Sequence, residues 1–225
     1  MKYIALDLSL NNLIMIYGDQ KKIYYKKSIP LLKDRAGIMF ANLENMINDL
    51  KVDIDSLDIL FSTIGPGNFN GIRVSLSLIK GMAITNNVRI AGLSSLELLS
   101  RSFINKHNQN ICTIIKASPG FYYLEIFNQF YNSILAPRLI NINEDIKLPM
   151  LNNEMVLVGN EVEIVSKAIK FKGEIKNISI PTPKNLYCIV QDKINKNNFL
   201  DANPKYLREV NAGKPSSWKR NPLVK

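Results

Sequence analysis

Cysteine and histidine are scarce in these 225 residues, with two Cys and one His. Cys112 and Cys188 stand far apart without the paired spacing of a zinc site, and read as buried thiols of a reducing compartment. His107, alone in the polar stretch 105–110, has no second histidine to share a metal and no signature of a Ser-His-Asp triad around it. No metal site and no independent hydrolase are therefore expected. No window approaches the ~20 apolar residues of a membrane-spanning helix, so no membrane partner is expected. The opening MKYIALDL has a single Lys and soon meets an acidic residue, unlike a secretory signal; cytoplasm is the expected location.

Apolar residues make up 46% of the chain, enough for a packed core in one large or two small domains. The net charge of +10 would suit a polyanion such as RNA. The surplus is mostly Lys in a chain crowded with Asn and Ile, a bias that AT-rich coding sequence produces by itself. Basic residues are dispersed apart from Lys21-Lys22, Lys26-Lys27 and the tail Lys214 to Lys225. The charge permits RNA contact without establishing it.

Residues 3–8, 13–17 and 22–27, separated by Asn11-Asn12 and Gly18-Asp19-Gln20, predict a three-stranded antiparallel meander with the last strand toward an edge. Over 34–50, Met39, Leu43, Met46, Ile47 and Leu50 recur at helical steps behind an Asp34 N-cap. A buried strand at 58–63 leads into GPGNFNG (65–71), followed by a helix to about residue 84 and a strand at 88–93. Ser94-Ser95-Leu96-Glu97 is a capping box opening a third helix. Further strands are expected at 111–116, 121–128, 133–140 and 155–159, with helices near 160–170 and 185–195. This order is the ribonuclease-H-like layout, which actin-like ATPases (the ASKHA architecture) use twice. The expected fold is α/β with two such halves, the second reduced: 1–104 and 105–225, the latter with a basic tail.

The glycine loop gives the backbone φ freedom and a close approach for a phosphate or another chain. No Gly-Lys-Ser/Thr follows, so it is not a Walker loop. A turn that merely packs well is the competing reading. Asp7, Gly67, Gly71 and Arg73 are the candidate nucleotide or anion ligands. The helix after the loop is apolar nearly all round, so it is either wholly buried in its own chain or shared with another subunit. Asp7 ends the first strand, where actin-like ATPases and nucleases keep a metal-directed carboxylate. Glu44 and Asp58 read as surface or turn groups, so Asp7 lacks the companions that metal chemistry needs.

ALDLS (5–9), GPGNFNGIRVSLSLIKGMA (65–83), IAGLSSLELL (90–99) and PKYLR (204–208) together resemble the TsaB (YeaZ) family. The resemblance implies a non-catalytic scaffold that binds a TsaD homologue. With TsaE and tRNA, that assembly would transfer threonylcarbamoyl to the adenosine beside the anticodon. No intrinsic cofactor is expected, with ATP or ADP at the partner interface, and uncovered apolar helices would let the isolated chain pair with a second copy as a homodimer. The partner-facing residues expected on 34–50 are Met39, Leu43, Met46 and Ile47. In the loop they are Gly65, Gly67, Phe69 and Gly71, and on the next helix Ile72, Arg73, Leu76 and Lys80. Asp34 to Gly37, Asn70, and Lys116 to Tyr123 depart from the family pattern. An independent actin-like ATPase or kinase using Asp7 and the glycine loop is the alternative.

Overall fold

The structure, a computed structural model, describes residues 1–31, 34–105, 108–144 and 152–207. The expected role of His107, the last residue of PKYLR and the basic tail lie outside them.

The first half begins with β1 (Lys2–Asp7), β2 (Asn12–Asp19) and β3 (Ile23–Pro30), the antiparallel meander read from the sequence. After α1 (Arg35–Leu50), β4 (Ile59–Gly65) runs parallel to β1, and after α2 (Phe69–Asn86), β5 (Arg89–Ser94) runs parallel to β4. The order is β3-β2-β1-β4-β5. Side-chain alternation divides the sheet into two faces. Ile4, Leu6, Leu13, Met15 and Leu60 meet α1 and α2 on one side. Tyr3, Ala5, Ile14, Ile16 and Phe61 face the other.

The second half repeats the plan. β6 (Ile111–Ser118), β7 (Phe121–Phe127) and β8 (Ser133–Asn141) form a meander. β9 (Val156–Gly159) joins β6 in parallel, and β10 (Glu174–Asn177) joins β9. The order β10-β9-β6-β7-β8 reproduces the first sheet strand for strand. Two ribonuclease-H-like halves are thus present, and the second is reduced: α4 (Val162–Ala168) stands where the first half has the 18-residue α2.

Two helices join the halves. α3 (Ser95–Ser100) is buried at every position. Leu98 packs on the first sheet, while Leu96 and Leu99 meet Ile115 and Phe127 of the second. α5 (Pro183–Lys196) follows the second half in sequence but returns to the first sheet. Thr182 and Asn185 form its capping box, and Pro183 supplies a preset φ. Leu186, Ile189, Val190 and Ile194 make the stripe that covers the face opposite α1 and α2.

Among the described residues, no helix is long and apolar enough to cross a membrane.

Candidate functional site

The glycine loop is held by backbone contact with the turn after β1. The Asn68 amide donates to the Ser9 carbonyl at 2.6 Å, and the Asn68 side chain caps α2 by accepting from the Gly71 amide at 2.9 Å. A Cβ on Gly67 would collide with the Ser9 carbonyl oxygen, and one on Gly71 with that of Leu8. Gly65 has a φ of 104° and joins Pro66 through a cis peptide bond. These glycines are thus required by the approach of two backbone segments, before any ligand is considered.

Asp7 lies beneath this contact, fully buried. Its Oδ1 accepts from the Ser9 amide (2.9 Å), the Ser9 hydroxyl (2.6 Å) and the Thr63 hydroxyl (2.7 Å), while Oδ2 has no partner among the described residues. Burial raises its pKa, and the hydrogen bonds from Ser9 and Thr63 oppose the rise. Glu44 is exposed on α1, and Asp58 accepts from the Lys2 amide at 2.6 Å, so neither joins Asp7. Among the described residues, no three His, Cys, Asp or Glu converge as a metal site. Cys112 is buried, which pushes its thiol pKa up, whereas Cys188 is exposed.

Beside the loop, a cleft of about 300 Å³ opens between the halves, lined by Ser9, Asn11 and Asn68 from the first and Lys116 and Asn160 from the second. Asp7 is not among its lining residues. Lys116 Nζ pairs with Glu161 at 2.6 Å, and the Tyr122 hydroxyl donates to the other oxygen of Glu161 at 2.6 Å. The divergent segment Lys116 to Tyr123 therefore builds a link to the start of α4.

The candidate partner residues separate by burial. Met39, Leu43 and Met46 of α1 and Ile72 and Leu76 of α2 lie in the core shared with the first sheet. The expectation that they form a surface is corrected, because these five side chains pack onto the sheet below them. Ile47 is half-buried against the same core. The outward apolar side chains include Leu50, the last of the periodic residues, at 42% exposure, together with Phe40 at 51% on α1 and Ile84 at 85% near the end of α2.

Arg73 and Lys80 project outward, but residues 200–206 engage them. The Arg73 guanidinium lies 3.8 Å from the Phe69 ring centroid, and its Nε donates to the Tyr206 hydroxyl at 3.0 Å. Lys80 Nζ donates to Asn203 Oδ1 at 3.1 Å. This strap is fixed by backbone bonds from the Gly92 amide to the Leu200 carbonyl (2.7 Å) and from the Lys205 amide to the Ile64 carbonyl (2.8 Å). Its position was invisible in the sequence, where only PKYLR marked it.

A family model described as TsaD, tRNA N6-adenosine threonylcarbamoyltransferase, matches residues 36–200. The TsaB protein of Buchnera aphidicola subsp. Schizaphis graminum is 24% identical over 190 residues, covering 81% of this chain and 90% of that protein. The TsaB protein of the Acyrthosiphon pisum subspecies is 22% identical over 178 residues, covering 73% and 79%. Of solved structures, YeaZ from Pseudomonas aeruginosa superposes with a TM-score of 0.78 at 16% identity, over 92% of this chain and 99% of that one, a likeness of fold. With the doubled five-stranded topology and the loop-helix signature in place, the chain belongs to the TsaB/YeaZ branch of the family that the TsaD model describes.

Proposed function

We propose that this chain serves tRNA threonylcarbamoyladenosine biosynthesis as a non-catalytic subunit that docks a TsaD-type paralogue through the outer faces of α1 and α2. The observation carrying this reading is the exposure of Phe40 (51%) and Ile84 (85%) on the two helices that flank the family's signature loop. Single exposed apolar residues are ordinary. These two stand on neighbouring helices seated on one sheet face, where a partner helix could bury both. On this reading a TsaE-type ATPase and tRNA join through the assembly, ATP or ADP sits at the shared interface, and the work takes place in the cytoplasm. In isolation the same faces would pair two copies of the chain.

The test is co-purification of the full chain with the TsaD-type paralogue, followed by a tRNA modification assay with and without this chain. Phe40→Asp with Ile84→Asp should abolish the complex while leaving the melting temperature near that of the parent. An intact complex in that double variant would overturn the interface, and modification indifferent to the chain would overturn the function.

A further inference from the structure

Beside the α3 junction, a second cavity of about 250 Å³ lies between the halves. Its walls are strongly charged, and most of the charges are already matched. Glu97 of α3 pairs with Lys193 at 2.9 Å and Arg101 at 3.4 Å, and Asp192 of α5 pairs with Arg101 at 2.7 Å and Lys196 at 3.0 Å.

Two charged groups on the cavity wall are left over. Glu125 of β7 is only 6% exposed, and its Oε2 has no hydrogen-bond partner among the described residues. The Lys205 ammonium, on the strap of the first half, is exposed at the rim and has no ion pair among the described residues. Glu125 and Lys205 feel each other's charge without forming an ion pair. A buried carboxylate oxygen on the wall of a polar cavity without a donor costs about 1–3 kcal/mol or more, and a donor brought to it by a ligand would recover this. Burial pushes the Glu125 pKa up to about 7, as expected for a carboxylate short of donors.

We propose that this cavity binds a small zwitterion, a free amino acid or short ω-amino acid, with its ammonium on Glu125 and its carboxylate on Lys205. Charge balance selects this class. A metal cation would find no cluster of three His, Cys, Asp or Glu among the described residues, and it would face three lysines. A simple anion would meet the unpaired carboxylate. A molecule carrying both charges matches the two free groups and leaves the existing ion pairs intact. Because Glu125 belongs to the second half and Lys205 to the strap of the first, such a ligand would bridge the two halves. No residue of α1 or α2 lines the cavity.

The test is calorimetric titration of the full chain at pH 8 with glycine, L-serine and γ-aminobutyrate, and with ethylammonium and acetate as single-charge controls. At least one zwitterion should bind saturably, and both controls should bind roughly tenfold more weakly or not at all. Glu125→Gln and Lys205→Met should each weaken binding by roughly tenfold. Lys205 is exposed, so its variant keeps the test open even where Glu125→Gln disturbs folding. No saturable binding up to about 50 mM would overturn the proposal, as the cavity would then hold water only. Controls that bind as well as the zwitterions, or binding untouched by both variants, would overturn it too. Partner co-purification is measured separately, so failure of one proposal leaves the other standing.

Discussion

The amide of Asn68 meets the carbonyl of Ser9 at 2.6 Å, and this contact sets how tightly the glycine loop is pressed onto the turn after β1. Everything nearby follows from that closeness. Asp7 is sealed beneath it, Thr63 and Ser9 are drawn to one carboxylate oxygen, and no side-chain atom fits on Gly67 or Gly71.

Two glycines of α2 should therefore respond in opposite directions to the same change. Gly71→Ala places a Cβ against the Leu8 carbonyl, and the loop must shift, with a stability loss of roughly 1–3 kcal/mol. Gly81→Ala meets open space on the exposed side of the same helix and should stabilise by about 0.5–1 kcal/mol. Urea midpoints of the two variants check both signs.

Leu76 and Ile84 provide a second contrast on α2. Leu76 is 2% exposed and Ile84 is 85% exposed. Leu76→Asp buries an unpaired carboxylate and should unfold the chain or cost more than about 4 kcal/mol. Ile84→Asp should stay within about 0.5 kcal/mol of the parent and act only on complex formation. Circular dichroism melting checks the first effect, and co-purification with the TsaD-type partner checks the second.

Glu125 gives the ligand-free protein a pH dependence. Its pKa rises from 4.5 unfolded to about 7 folded, chiefly through burial. The groups around it are Ser133, which lowers the pKa by hydrogen bonding, Lys205 and Lys193, which lower it by charge, and Glu97, which raises it. The folded state holds this proton more tightly, so its stabilising effect is complete below about pH 4.5 and is lost as pH rises through about 7. The loss is on the order of 3 kcal/mol. Glu125→Gln should flatten stability across that window, as read from urea unfolding at a series of pH values. Asp7, whose pKa is also raised, adds a slope of the same sign that Asp7→Asn should remove.

The ion-pair network between α3 and α5 should behave as a unit. The Lys193 and Glu97 side chains are 10% and 9% exposed. Lys193→Met leaves Glu97 buried with only Arg101 beside it and should cost about 3–5 kcal/mol. Glu97→Leu combined with Lys193→Met should cost much less than the sum of the single changes, because no unpaired charge remains. A double-mutant cycle by chemical denaturation measures the difference.

Much of the architecture was legible because local pattern and tertiary role coincide. β1 and β2 are apolar runs broken by turn residues, α1 keeps helical period behind Asp34, and Asn68 caps α2 as turn chemistry allows. The capping box at Ser94 was half right: Ser94 accepts from the Glu97 amide at 3.3 Å, but the Glu97 side chain turns away to Lys193 and Arg101. Arg101 is a local i,i+4 neighbour, but Lys193 lies nearly a hundred positions on and leaves no local trace. β10, a short and mostly exposed polar strand of sequence EIKN, was missed because it lacks an apolar rhythm. The inward aim of Met39 and Leu43 was misjudged because periodicity identifies an apolar stripe without saying what covers it. The Glu125 cavity was missed for a related reason, since its walls come from α3, β7, α5 and the strap.

The return of α5 to the first sheet has a consequence for synthesis of the chain. Until residue 194 has left the ribosome, Tyr3, Ile14, Ile16 and Phe61 lack the α5 side chains that cover them. The strap at 200–206 emerges later still. The first half to be translated is therefore the last to close, and the second half can assemble its sheet while the earlier one waits. Nascent chains halted before α5 should consequently show an unprotected first sheet, a state in which a chaperone has hydrophobic surface to hold.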